Sequence, residues 1–211
     1  MKLRVWFHAI LLMVHSKKGI SALQIHRMLG TGSYETAWYM CHRIRAAMNA
    51  GAFRLHSGVV EIDETYIGGK PRNRHDLSRK PKTAIIGAVE RKVNVIAKVI
   101  NDTTNEAMHA FVKRTVGERV SLVATDEHRA YKSLKRMGYK HRSVNHSRGE
   151  YVRGLVHTAN LDSFWSLLKR GIVGAFHNVS KEYLPLYLNE FAFRHNSREH
   201  GDIFGRVVRG C

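Results

Sequence analysis

Two cysteines in 211 residues leave little room for sulfur chemistry. Cys41 falls in a helically patterned stretch, Cys211 is the last residue, and neither belongs to a CxxC pair. That excludes a zinc ribbon and a disulfide-stapled scaffold, and it fits a reducing, cytoplasmic setting. Acidic residues are also scarce: 17 Asp and Glu stand against 35 Lys and Arg, for a formal net charge of +18. Such an excess favours a polyanionic partner, most often nucleic acid, although a ribosomal or merely basic protein shares the composition. Long apolar runs are missing too. The opening stretch MKLRVWFHAILLMVHSKKG superficially resembles a signal peptide. His8 interrupts it, no small-residue cleavage site follows, and it is too short to span a bilayer. It reads as a buried helix, and no membrane partner is expected. Internal repeats and low-complexity segments are absent.

The first fifty residues carry three helical patterns. Val5, Trp6, Ala9, Ile10, Leu12 and Met13 recur at helical spacing. After SKKG, Ser21 is placed to cap a short helix that Gly30 would end. The stretch YETAWYMCHRIRAAM then gathers Ala37, Met40, Cys41, Ile44, Ala47 and Met48 on one face, with Arg43 and Arg45 assigned to the other. A short helix, a tight turn and a longer helix bearing Tyr, His and Arg is the pattern of a helix-turn-helix. A plain helical hairpin gives the same pattern. We assign residues 1–54 to a helix-turn-helix-like DNA-binding segment, with Arg43 and Arg45 as candidate DNA contacts.

From Gly58 the period changes from helical to alternating. GVVEIDETY, TAIIGAVE and KVNVIAKVI read as strands, the first two separated by a long basic loop and the last two by the turn ERK. An amphipathic helix (TNEAMHAFVKRTVG), a fourth strand (RVSLVATD), a helix (HRAYKSLKRMG) and a short fifth strand (YKHRSVNH) follow, then helices near 160–171 and 180–195. The order βββαβαβα predicts an α/β core with a mixed sheet, which is the strand order of the ribonuclease-H-like fold. Residues 55–211 are assigned to that domain. The loop GGKPRNRHDLSRKPK holds Lys70, Arg72, Arg74 and Lys80 among its six basic residues. It is either a solvated surface loop or a nucleic-acid clamp, and its GGK lacks the spacing of a phosphate-binding P-loop.

Three aspartates take comparable places in this layout. Asp63 lies towards the end of the first strand, Asp126 at the end of the fourth, and Asp162 at the start of a late helix. Since the first and fourth strands are neighbours in such a core, Asp63 and Asp126 would meet at one edge. Carboxylates meeting in a basic protein suit hard divalent cations, Mg²⁺ or Mn²⁺. Two such ions about 3.5–4 Å apart stabilise both oxygens of an in-line phosphoryl displacement. Asp162 stands 36 residues after Asp126 and seven before Lys169, so Asp162 and Lys169 share a helix face. Lys169 and Arg170 are candidate contacts for a phosphate backbone. Glu61, Glu64 and Glu127 read as solvated neighbours of the aspartates, and Phe164, Trp165, Leu167 and Leu168 as core. His128 and His157 are open between phosphate contact and scaffold. Arg194, His195, Asn196 and Arg198 are open between DNA contact and exposed helix end.

The blocks EIDETYIGGK, TDEHRAY, HTANLDSFWSLLKRGIVGAFHNVS and YLNEFAFRHNSR resemble the catalytic blocks of ISXO-type insertion-sequence transposases. The similarity runs from about Lys18 almost to the C-terminus. It implies a bacterial DDE-type enzyme with a ribonuclease-H-like core, two divalent cations, double-stranded DNA as partner, and an assembly of at least two copies near the nucleoid. In that family the first two carboxylates match Asp63 and Asp126, while the third is Glu in some branches and Asn in others. Here Asp162 holds the glutamate-like place and Asn160 stands two residues earlier, so both are retained. Family members usually begin with a cysteine-rich zinc ribbon, which this chain has no cysteines to build, so no zinc is expected. Two rival readings stay open, a transposase remnant that binds DNA without cutting and a nuclease acting on RNA–DNA hybrids.

Overall fold

The computed structural model describes residues 1–49, 51, 53–68, 82–145, 149–150 and 152–210. Lys70, Arg72, Arg74 and Lys80 therefore lie outside the described residues. Two compact units divide the chain, residues 52–165 and residues 1–51 with 166–211.

The first unit is built on a five-stranded sheet of β1 (Val59–Ile67), β2 (Thr83–Glu90), β3 (Val95–Ile100), β4 (Leu122–Thr125) and β5 (His141–Ser143). The order across it is β3-β2-β1-β4-β5. The first three strands form an antiparallel meander, while β4 and β5 add in parallel beside β1. This is the mixed ribonuclease-H-like arrangement expected from the strand order. Alternation along β1 explains its layering. Val60 and Ile62 join Ile86 and Ala88 of β2 against Met108, Phe111 and Val112 of helix α4 (Asn105–Thr115). Glu61 and Asp63 point to the other face.

The segment HRAYKSLKRMG differs from expectation. It forms only a 3₁₀ turn, Arg129–Ser133, followed by further turns. Residues three apart eclipse in this tighter winding, so Tyr131 and Leu134 both enter the core on one side.

The helical unit contains α1 (Leu3–His15), α2 (Ala22–Leu29) and α3 (Tyr34–Ala47), joined by α6 (Leu184–Asn196) and α7 (Ile203–Val208). Helix α5 (Ala159–Gly171) gives its first turns to the sheet unit and its remainder to this one. Ser21 and Ser33 cap α2 and α3 by accepting the backbone N–H groups of Gln24 and Thr36, and Gly30 ends α2 at φ +60°. Chain order had assigned the C-terminal helices to the sheet domain. They group instead with the first fifty residues, because Phe193 of α6 and Val207 of α7 complete the apolar cluster of Ile10, Met13, Ile25, Met40 and Ile44. A short π-helical turn, Ile172–Phe176, and α7 itself were not foreseen.

Arg45 must be reassigned. It is 1% exposed, and its Nε donates to the fully buried Glu190 at 2.7 Å. Its guanidinium also stacks 4.1 Å from the Tyr187 ring centroid. Arg194 reaches the same carboxylate through Nη1. Arg45 is thus a core ion-pair residue, withdrawn from any DNA surface, whereas Arg43 on the same helix is exposed. Arg194 likewise belongs to the core rather than to an exposed helix end. An Arg–Glu–Arg triad in a dry interior contributes little net stability but is costly to break. Glu190→Leu is expected to lower unfolding free energy by about 3–5 kcal/mol in urea denaturation. Replacing all three charges together (Arg45→Met, Glu190→Leu, Arg194→Met) should recover most of that loss.

Candidate active site

The parallel pairing of β1 with β4 sets the site. Glu61 lies opposite Ala124, so continuing that register by two residues brings Asp63 opposite Asp126, the first residue beyond β4. There the chain turns: Asp126 Oδ1 accepts the backbone N–H of His128 at 3.0 Å, and His128 Nδ1 accepts that of Ala130 at 3.3 Å. These two bonds hold the Asp126 carboxylate at the strand end.

Helix α5 reaches the same place because Glu61 holds its N-terminus. Glu61 is fully buried. Its Oε2 accepts the backbone N–H groups of Asn160 and Leu161 at 3.0 and 3.2 Å. Its Oε1 accepts from Asn160 Nδ2 at 2.7 Å and Arg91 Nε at 2.7 Å, while His157 Nδ1, which accepts the Ala159 backbone N–H, stands 3.3 Å from it. A carboxylate at a helix N-terminus satisfies orphan N–H groups and suits the helix dipole. The arrangement explains four residues at once. Glu61 is a buried structural anion rather than a solvated acid, Arg91 neutralises it, and His157 leans on it as scaffold. Asn160 spends its amide on it instead of on the aspartates.

One turn along α5, Trp165 Nε1 donates to Asp63 Oδ2 at 2.9 Å. The indole passes over β2 at Gly87, where a Cβ would come within 2.6 Å of its Cζ2. Gly87 faces Asp63 across the β1–β2 ladder, so the missing side chain is what lets the ring reach the carboxylate. Asp162 is exposed, and Thr158 Oγ1 donates to its Oδ2 at 3.3 Å.

Charge now accumulates on Asp63. Burial first, then the neighbouring Glu64, Asp126 and Asp162, push its pKa up to about 7, against the lowering effect of the Trp165 hydrogen bond. The three aspartates picked out in the sequence are therefore electrostatic neighbours, and Glu64 joins them. Burial and Asp126 likewise raise Glu64, which Tyr131 and His128 oppose. Tyr131 Oη donates to Glu64 Oε2 at 2.5 Å, and His128 Nε2 stands 3.8 Å from its Oε1. Glu64, expected to be solvated, is thus tied into the site. Its signal in the sequence was its place on β1 beside Asp63, which alternation alone sends to the opposite face.

These groups fit a hard divalent cation by donor type, since all are carboxylate oxygens and their negative charge lacks a full counter-charge. Among the described residues, however, no three His, Cys, Asp or Glu side chains converge closely enough to grip an ion in this conformation. Lys169 and Arg170 are exposed in the last turn of α5, where Arg170 Nε also donates to the carbonyl of Ser166 at 3.3 Å.

A ribonuclease-H-like sheet with clustered carboxylates at its β1 and β4 strands defines the class of polynucleotide-processing folds. The profile of the ISXO2-like transposase domain matches residues 56–196, most of the chain. The protein belongs to this family of insertion-sequence transposases. No curated protein matches it.

Two predictions follow from the packing and the charge. Gly87→Ala should displace the indole, break its bond to Asp63 and cost about 1–3 kcal/mol of stability, read as a shift in denaturation midpoint together with quenched or red-shifted Trp emission. For Asp63, a folded-state pKa near 7 lies above the ordinary aspartate value. The folded chain then binds more protons than the unfolded one between about pH 4 and 7, so stability falls as pH rises through that window. In EDTA, Asp63→Asn should unfold like the parent at pH 4. At pH 8 it should be more stable, by a few kcal/mol at most.

Proposed function

We propose that this transposase cuts DNA at the ends of its element and transfers the freed strand to target DNA, using divalent cations held by Asp63, Asp126 and Asp162. The observation that carries the reading is the buried concentration of like charge around Asp63 in a chain of net charge +18. Unpaired acids clustered in a basic protein are costly unless a cation offsets them. Bound Mg²⁺ or Mn²⁺ would supply positive charge at the reacting phosphoryl group and make water a nucleophile at neutral pH.

The chain's own residues have separate tasks in this reading. Asp126, fixed by the His128 N–H, offers its carboxylate from the end of β4. Asp63, steadied by the Trp165 indole, would offer its carboxylate from β1 to a bound cation. Asp162 is favoured over Asn160 as the third member, because Asn160 is engaged by Glu61. Glu64 is a fourth candidate oxygen ligand. Lys169 and Arg170 are assigned to the DNA backbone, as are Lys70, Arg72, Arg74 and Lys80 of the basic loop. Helix α3 presents Tyr39 and Arg43 outward as candidate readers of the element's ends. Joining two ends requires at least two copies on DNA.

A second reading, a DNA-binding remnant without nuclease chemistry, is favoured by the open spacing of the carboxylates. The deciding experiment is Mn²⁺-dependent cleavage of labelled DNA carrying the element's own ends. Asp126→Ala and Asp162→Asn should each lower the cleavage rate by about 100-fold or more, on the scale of losing one electrostatic stabiliser, with DNA binding retained. Tight binding by the parent chain with no cutting in Mn²⁺ or Mg²⁺ would instead establish the remnant.

A further inference from the structure

A cleft of about 410 Å³ in the sheet unit is lined by Lys132, Lys135, His141, Arg142, Ser143 and Arg153. None of these belongs to the carboxylate site. Lys132 and Lys135 come from the turns after β4, Arg142 from β5 and Arg153 from the chain beyond it, so four cations from three segments converge. Arg153 is partly occupied: its Nε stands 3.7 Å from Glu150, and its Nη2 donates to the Ser143 carbonyl at 2.9 Å. Among the described residues Lys132, Lys135 and Arg142 have no acidic partner.

A charged rim on an edge strand can serve merely to prevent edge-to-edge pairing. Arg153 does that here by covering a β5 carbonyl, and Arg142 sits on β5 itself. Lys132 and Lys135 do not lie on the strand, so blunting its edge does not account for them. Their field reaches a neutral neighbour as well: burial, then Lys135, pull His141 down to about 4.

The cleft is also wired to the candidate active site. Ser143 pairs with Thr125, the last residue of β4 and the one before Asp126. His141 Nε2 and Thr125 Oγ1 are 2.9 Å apart, and Thr125 Oγ1 donates to the Asp126 carbonyl at 2.7 Å. Adjacent strands lie about 4.8 Å apart, and one DNA strand carries a phosphate about every 3.4 Å of helix axis. A strand lying over the carboxylates and running across β4 towards β5 would bring its next phosphates to this cleft.

We propose that the cleft is a second DNA-backbone site, in which Lys132, Lys135 and Arg142 hold phosphates of the strand that lies alongside Asp63 and Asp126. This rests on the DNA-processing reading above and adds the path that the DNA takes beyond the cutting point.

The test is the salt dependence of binding by the full chain to a short labelled duplex, in EDTA so that no cutting occurs. Each phosphate neutralised contributes about 0.9 to the slope of log K against log salt. The triple variant Lys132→Gln/Lys135→Gln/Arg142→Gln should lose about 2 to 3 from that slope, while Lys92→Gln/Lys98→Gln keeps the parent value. In the unmodified chain, DNA should protect Lys132 and Lys135 from acetylation and leave Lys92 and Lys98 reactive. An unchanged slope and unprotected lysines, with binding intact, overturn this site and leave the transposase reading standing. Equal loss in both variants overturns it too, as diffuse charge. Protection by inorganic phosphate as complete as by duplex makes it a free-anion site and overturns the strand path. Failure of the parent chain to bind DNA at any salt overturns both readings.

Discussion

The carboxylate of Glu61 is the point on which the rest of the site depends. A buried carboxylate costs several kcal/mol unless its lone pairs are filled and its charge is matched. Glu61 meets both demands, with two helix N–H groups, the Asn160 amide, the Arg91 guanidinium and His157 around it. Because these partners come from β1, the β2–β3 turn and α5, satisfying one anion fixes three segments relative to each other. Asp162 and Trp165 follow along the helix from that anchor. The indole can then reach Asp63 only because Gly87 leaves room beneath it.

Two residues along the same strand, the physics reverses. Glu61 and Asp63 share a face of β1, yet one is neutralised and the other is surrounded by Glu64, Asp126 and Asp162. A single neutral hydrogen bond from Trp165 is the relief offered to Asp63, along with whatever proton it retains. An acid whose partners are all supplied by the fold is complete. An acid left with its charge uncompensated is waiting for something the fold does not supply.

Much of this was legible in the sequence. Strand order, the caps at Ser21 and Gly30, and the meeting of Asp63 with Asp126 follow from periodicity, turn chemistry and the neighbourhood of the first and fourth strands. What was not legible depends on tertiary partners. Arg45 looks outward in a helical count, but Glu190 lies 145 residues away and draws it inward. Glu61 looks like one more acid beside Asp63 until α5 arrives from a hundred residues on. The 3₁₀ turn after Asp126 hid behind helix-forming residues, since the three-residue spacing of Tyr131 and Leu134 suits an α-helix as well. Spacing offered both Asn160 and Asp162, and it could not show that Glu61 engages the amide of Asn160.

The third acid then has a particular consequence. In the proposed ligand set Asp162 takes a place that is Glu in some branches of the family and Asn in others, and relative to Glu its carboxylate stays about one methylene closer to α5. The same helix is anchored by Glu61 at its start and pressed onto β2 through Trp165 at Gly87. An anchored helix cannot simply slide towards the strands to make up the difference. The carboxylates accordingly stand near enough to raise the pKa of Asp63, yet not near enough to grip an ion unaided. Glu64 is the oxygen best placed to make up the deficit, since Tyr131 and His128 already hold it beside Asp126.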